Sequence, residues 1–343
     1  MGKKFTIGVL IGNVHTAHPK DLMRGIRAAA SGMDVNVIYF LGTQSVRFNQ
    51  KFALEDFDYQ YNTVYDYAKL AKVDVLIIAY GSLCIFQKNE DKQAFLDKFA
   101  GIPYVLLEDA TDDPRGIYVM VDNFGGMQKC VEHLIIEHHL KHLVYLGGPE
   151  DNQDAIERKA AFLNVMAEHH LPVTPEMMAV GDYSKFVDNL VEQLLKDNPD
   201  AEAIISANDE MTVACYRVCK AHGLRIGKDI LITGFDDVER ARYSNPPLTT
   251  VSQDAYKMGQ IAVEKAVDIC AGRPVESVRL DAELIIRESC GCKVTRRAKE
   301  KADEKTELLH IIDELRLFQH KSWLGPFLLR DLMQEAENEK SFY

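Results

Sequence analysis

Continuous apolar runs alternate along this chain with stretches whose apolar positions recur every three or four residues. The first run, residues 5–11, has no polar alternation, the pattern of a strand buried on both faces of a parallel sheet. Leu22, Met23, Ile26, Ala29 and Ala30 then follow helical spacing, with Pro19 suited to a first helical turn. The cycle repeats: strand 35–40, helix 61–71, strand 73–79, helix 93–99 and strand 103–107, the last ending in Glu108-Asp109. A second cycle opens with strand 118–121 and helix 127–138, then strand 143–146 and helix 155–169, with Asn152 as a candidate N-cap. It continues through strand 177–180, helix 186–196, strand 203–206, helix 211–222 and strand 230–233, and closes with helix 255–270 and strand 284–287. Strand–helix alternation of this kind predicts an α/β fold of two Rossmann-like subdomains, each with a parallel sheet, around a ligand cleft that the chain crosses about three times. The expected division is 1–120 with 252–282, then 121–251 with 283–290, then a helical C-terminal extension over 291–343.

Beyond Lys293 the pattern changes. Residues 296–305 are almost all charged, and Leu308, Ile311, Leu315 and Phe318 follow at alternating spacings of three and four, too briefly for a stable coiled coil. Gly325-Pro326 breaks this helix. The stripe reads either as a signalling or dimerising helix or as a helix packed on its own domain.

At 343 residues the chain is long enough for two α/β subdomains, and 47% hydrophobic with 27% charged residues is ordinary for a globular protein. No apolar run approaches the roughly 20 residues of a membrane span, and the start lacks a secretory signal pattern. The net charge is −12. Residues from Gly291 onward hold 10 basic and 10 acidic side chains, so the entire acidic excess precedes them. A phosphate-binding face should be basic, so direct nucleic-acid binding by this chain is not expected.

Five of the seven cysteines (Cys84, Cys130, Cys215, Cys219 and Cys270) sit among apolar residues and read as small core side chains. An odd count without framework spacing suits a reducing compartment, here the cytoplasm. Cys290-Gly291-Cys292 is the one close pair, and alone it lacks the second ligand pair of a structural zinc site. His133, His138, His139 and His142 have no cysteine or acid at zinc-motif spacing and read as a solvated helix end. No metal site and no cofactor are therefore expected.

The most informative residues are Thr233-Gly234-Phe235-Asp236-Asp237 followed by Pro246-Pro247-Leu248-Thr249-Thr250-Val251-Ser252-Gln253. A strand runs into two carboxylates where an open α/β sheet places its ligands, and a second extended segment follows. This composite resembles the effector-binding domain of the lac-repressor (LacI/GalR) family, a fold shared with type I periplasmic binding proteins. The resemblance covers about residues 5–289. It implies a cleft lined by Asn13, His15 and His18 after the first strand and by Asp122-Asn123 at a crossover. It also implies Arg158 forking onto paired hydroxyls, Tyr183 stacking on a sugar face, and Asn208, Asp236 and Gln253 at successive strand ends. From the residues alone, Arg158 fits an exposed helix and Tyr183 a surface loop equally well, and Asp209 reads as a helix cap. Asp237 reads as structural.

Three departures stand out. Asp154 stands where the family often has a hydroxyl, His138-His139 replaces a usual Gly-His, and the family's N-terminal helix-turn-helix has no counterpart before Phe5. The implied function is a cytoplasmic, homodimeric ligand sensor of a transcriptional or signalling regulator, binding a small polar effector, sugar-like above all, with no membrane partner. Glu288-Ser289-Cys290-Gly291-Cys292 before a charged helix resembles sensor domains that precede an output module such as a diguanylate cyclase or histidine kinase. An exported solute-binding protein is the alternative. Catalysis is not expected, since no dinucleotide, phosphate-loop, nucleophile-elbow or zincin motif occurs.

Overall fold

The computed structural model describes residues 4–14, 16–43, 58–84 and 89–293, so His15 and the Leu308–Phe318 stripe lie outside the described residues. In chain order the first part comprises β1 (Phe5–Gly12), α1 (Ala17–Ser31), β2 (Val35–Gly42), a 3-10 segment (Asp58–Asp66), α2 (Tyr67–Leu70), β3 (Val75–Ile78), α3 (Tyr80–Leu83), α4 (Asn89–Asp97), β4 (Tyr104–Leu107) and β5 (Gly116–Val121). The second part comprises α5 (Asn123–Ile136), β6 (Leu143–Gly147), α6 (Gln153–Glu168), β7 (Met178–Val180), α7 (Asp188–Asp197), β8 (Ala203–Ser206), α8 (Asp209–Ala221), β9 (Leu231–Thr233) and α9 (Glu239–Tyr243). The closing part comprises β10 (Thr250–Ser252), α10 (Ala255–Cys270), β11 (Val278–Leu280), β12 (Glu283–Ile285) and a 3-10 turn (Glu288–Cys290).

The strands form two parallel sheets, ordered β11-β5-β4-β3-β1-β2 and β7-β6-β8-β9, and a small antiparallel pair, β10-β12. Because the two large sheets are covered by helices on both faces, their central strands bury nearly every side chain, and this is why they are uniform apolar runs in the sequence. The period of two still decides which side chain goes where. Val9, Ile11, Val75, Ile77, Val105 and Leu107 face the layer that contains Leu22 and Ile26 of α1 and Met258 and Ala262 of α10. Leu10, Leu76, Ile78, Tyr104 and Leu106 face the opposite layer with Phe40, Phe95 and Phe99. Strand β2 stands at the edge and alternates between half-buried and exposed positions.

The chain passes between the sheets three times. It leaves the first sheet after β5, returns after β10 into α10 and β11, and crosses back into β12. Two of these passages are tied together where the Asp122 amide donates to the Leu280 carbonyl at 2.7 Å. Strand β11, paired in parallel with β5, lies outside the predicted elements. Helix α10 occupies residues 255–270 as predicted, and Asn152 caps α6 by accepting from the Ala155 amide. The predicted helix over residues 61–71 is instead mostly 3-10, with one α-helical turn at its end.

No helix among the described residues is long and apolar enough to cross a membrane.

Candidate functional site

A cavity of about 210 Å³ opens between the carboxyl ends of the two sheets. The first subdomain contributes Gly12, Asn13, Thr16 and His18 from the end of β1 and the start of α1, Ser82 from α3, and Glu108 from the end of β4. The second contributes Asn152, Asp154 and Arg158 from the start of α6, Tyr183 after β7, Asn208 and Glu210 after β8, and Asp236 after β9. Gln253, on the returning crossover, completes the wall. A larger hollow of about 600 Å³ lies beside α7, but its charged lining, including Glu192 and Lys196, is exposed.

Arg158 is the centre of the second wall. It is 2% exposed, and its guanidinium lies 3.8 Å from the centroid of the Phe235 ring. Its Nε donates to Asn123 Oδ1 at 2.8 Å and its Nη1 to the Ala207 carbonyl at 2.7 Å. Its distances to Asp154 and Asp236 are 3.5 and 3.6 Å, too long for direct hydrogen bonds. The buried guanidinium thus faces two half-buried carboxyl groups with bonding capacity to spare.

Burial pushes the Asp154 carboxyl up to about 7, against the opposing pull of Arg158. Burial also raises Asp236, while Arg158, His18 and a hydrogen bond from Gln253 hold it down. The backbone of Asp236 has φ 123, a conformation few non-glycine residues adopt, and is held there as its amide donates to the Val251 carbonyl at 2.7 Å.

On the first wall His18 Nε2 meets Glu108 Oε1 at 2.5 Å. The other oxygen of Glu108 accepts from the amide and the hydroxyl of Ser82, at 2.8 and 2.5 Å. Burial alone would lower the His18 imidazole, but the charge and hydrogen bond of Glu108 outweigh it and raise the group to about 9. Glu108 resists its own desolvation through His18 and Ser82 and stays below the usual carboxylate range. The pair is therefore an imidazolium–carboxylate at neutral pH.

Tyr183 adopts φ 65, and its ring lies against Gly148, where an added Cβ would strike the ring atoms. Its hydroxyl donates to Asn152 Oδ1 at 3.4 Å.

Of the site residues expected from the sequence, Asn13, Arg158, Tyr183, Asn208, Asp236 and Gln253 line this one cavity. His15 lies outside the described residues. Asp122 does not line it: its carboxylate caps α5 by accepting from the Gly125 amide at 3.0 Å. Asn123 is fully buried behind the wall, where its amide bridges Arg158 and Asp154. It orients the charges without reaching the cavity. The helix cap expected of Asp209 is supplied instead by Asn208, which also lines the cavity. Asn208 caps α8 through the Met211 amide, while Asp209 is buried, accepting from the Thr250 hydroxyl at 2.6 Å and the Val238 amide at 3.0 Å. Asp237 pairs with Arg287 and Arg242, away from the cavity. Ser82, Glu108, Asn152, Asp154 and Glu210 are lining residues absent from the sequence-based set. Glu108, at an acidic strand end, and Asp154, a departure from the family pattern, carried the only local signals.

Residues 131–290 match the periplasmic binding protein-like domain. The chain is 31% identical to the HTH-type transcriptional regulator CelR of Thermobifida fusca over 218 residues, 60% of this chain and 62% of that relative. It thus spans less than two thirds of that relative's length. Among solved structures, the transcriptional regulator CelR–cellobiose complex superposes with a TM-score of 0.70 at 23% identity, covering 84% of this chain and 85% of that one. A regulatory protein of the LacI family from Chloroflexus aggregans superposes with a TM-score of 0.67 at 25% identity, covering 83% of this chain and 98% of that one.

A separate cluster lies away from this cleft. Cys290-Gly291-Cys292, a lone pair in the sequence, meets His133 and His138 in space. His133 is buried and His138 half-buried, so these two do not belong to the expected solvated helix end, whereas His139 is exposed as expected.

Proposed function

We propose that this chain is the ligand-sensing part of a LacI-type regulator and binds a small, neutral polyhydroxy molecule of sugar-like chemistry in the cleft without transforming it. The observation that carries this reading is the spacing of Arg158 from Asp154 and Asp236, at 3.5 and 3.6 Å. A hydroxyl can donate to a carboxylate and accept from a guanidinium at once, so adjacent ligand hydroxyls satisfy all three groups. An anionic ligand would meet Asp154, Asp236 and Glu210 on one wall and Glu108 on the other. The volume, below the roughly 300–1,000 Å³ of pockets for drug-sized ligands, favours a compact molecule. Tyr183 offers a ring to an apolar ligand face. Catalysis is disfavoured because His18, held as an imidazolium by Glu108, has no free base to offer a nucleophile at neutral pH, and Asp236 is engaged by Gln253.

The matched relatives are transcriptional regulators, and this favours a homodimeric, cytoplasmic sensor over an exported solute-binding protein. In that role cleft closure on the ligand is the signal, a shift between two packed states.

A thermal-shift screen of the whole chain against sugars, nucleosides and amino acids tests the reading. A ligand at 100 times its dissociation constant should stabilise the fold by about 2.7 kcal/mol. A shift given only by amino acids or nucleosides would overturn the ligand class. A sugar-induced shift that persists unchanged in Asp236→Asn would overturn the site.

A further inference from the structure

The cluster at the far side of the second subdomain has a geometry that hydrogen bonding does not explain. His133 stands in the last turn of α5 and His138 just beyond its end. Cys290 ends the 3-10 turn Glu288–Cys290, and Cys292 follows Gly291. The ligand atoms of all four lie within 4.8 Å of one another. His133 Nε2 is 3.2 Å from His138 Nε2, 3.5 Å from Cys290 Sγ and 3.7 Å from Cys292 Sγ. Cys292 Sγ is also 3.4 Å from His138 Nε2. A ring nitrogen carries one hydrogen or one lone pair, so His133 Nε2 cannot serve three partners at once. Four atoms that all approach one another are instead arranged around a common point.

We propose that His133, His138, Cys290 and Cys292 form a structural zinc site. Bond lengths of about 2.3 Å to sulfur and 2.0–2.1 Å to nitrogen at tetrahedral angles put neighbouring ligand atoms roughly 3.3–3.8 Å apart. The four separations given above run from 3.2 to 3.7 Å. Two thiolates with two imidazoles is a donor set that fits zinc, and four protein ligands leave no open position, as in closed structural sites.

The local sequence is built to present the two sulfurs together. Gly291 has φ 86, a left-handed turn that a side chain would disfavour, and it folds Cys292 back beside Cys290. The adjoining Ser289 hydroxyl donates to the Ile232 carbonyl at 2.6 Å and accepts from the Thr249 amide at 2.8 Å, which locks the turn onto the second sheet. The metal would cross-link α5 to residues about 160 positions later in the sequence, at the point where the described chain ends. Whatever motion the cleft transmits toward residue 294 and beyond would pass through this clamp.

The test uses the full chain, purified without chelator after expression in zinc-supplemented medium. One zinc ion per chain is expected by elemental analysis. Replacement by cobalt(II) should give the intense visible bands of a tetrahedral centre together with thiolate-to-metal charge transfer. Cys292→Ser and His138→Ala alter half-buried ligands and should fold, yet bring the zinc content to background. Should either variant fail to fold, stripping the wild-type chain with a chelator and restoring it with zinc must lower and then recover its melting temperature. Absence of both bound zinc and the cobalt spectrum would overturn the proposal. So would zinc content unchanged in Cys292→Ser, iron or copper in its place, or a Cys290–Cys292 disulfide found by mass spectrometry in the protein as isolated.

Discussion

At the scale of single residues, the proposed ligand cleft leaves the buried Arg158 and two half-buried carboxyl groups partly unsatisfied. Arg158 has strong partners in Asn123 and Ala207 but only distant ones in Asp154 and Asp236. Arg158→Ala should therefore harm twice. It removes the donor for the ligand, worth about 2–5 kcal/mol of binding, and it strands two carboxylates, at a cost of about 3–5 kcal/mol to the fold. Calorimetry with the ligand from the screen, alongside denaturant unfolding, separates the effects, and Asp236→Ala should show mainly the first. Affinity unchanged in both variants would remove the proposed site. The His18–Glu108 pair gives a pH signature. Because the folded His18 is raised from 6.5 to about 9, its stabilisation is complete below 6.5 and is lost as pH rises through 9. Glu108 is lowered from 4.5, so its own contribution fails only as pH falls below that value. The stability difference between wild type and Glu108→Gln should thus be largest near pH 5–6 and shrink toward pH 9. Melting curves across that range check it, and a difference that stays constant through pH 9 would contradict the pairing. In the sequence, residues at strand ends were legible because the fold rule places ligands there. The partner of each was not, since His18 and Glu108 are 90 positions apart.

At the scale of elements, the parallel strands announce themselves because burial on both faces makes them uniformly apolar. β11 escapes because Val278-Arg279-Leu280 is three residues with a charge in the middle, and only its pairing with β5 makes it a strand. The start of α5 shows the same limit for function. Asp122 sits at a crossover, where a ligand contact is the natural expectation, but the free amides of a helix N-terminus claim its carboxylate first. Asp122→Ala should then cost about 0.5–2 kcal/mol of stability by unfolding and leave ligand affinity unchanged. A clear affinity loss with no stability loss would restore the ligand-contact role. Gly148 is the complementary case. Its missing side chain is the space the Tyr183 ring fills, so Gly148→Ala should displace the ring and weaken the ligand while circular dichroism stays that of the wild type. Equal affinity in this variant would argue that Tyr183 does not touch the ligand. The cysteine–histidine cluster was illegible for the same reason as β11: its two halves are short, and only the fold brings them together.

At the scale of the whole molecule, two parallel sheets are joined by three crossings, and the groups lining the cavity are divided between the two sides of it. A ligand that bridges Glu108 and Ser82 on one side with Arg158 and Asp236 on the other has differential affinity for the closed state, and this is what a population shift requires. From the acidic balance, −12 in total, we predict weak direct binding of duplex DNA by this chain. Salt-sensitive, high-affinity binding to a duplex in an anisotropy titration would reverse this view. We propose that the recipient of the population shift is reached through the sequence after Lys293, which follows directly on the cysteine–histidine cluster in the chain. Among the described residues the cavity groups lie between residues 12 and 253 and both sheets are complete by Leu280, so a chain ending at Lys293 would retain every described group of the proposed site. Such a truncation should keep ligand affinity within a factor of two or so of the full chain, since no contact to the ligand is removed. What it should lose is ligand-dependent change in self-association, measured by sedimentation of the two forms with and without ligand. If the truncated chain unfolds or no longer binds, residues 294–343 belong to the structural core of the sensor and do not relay its state.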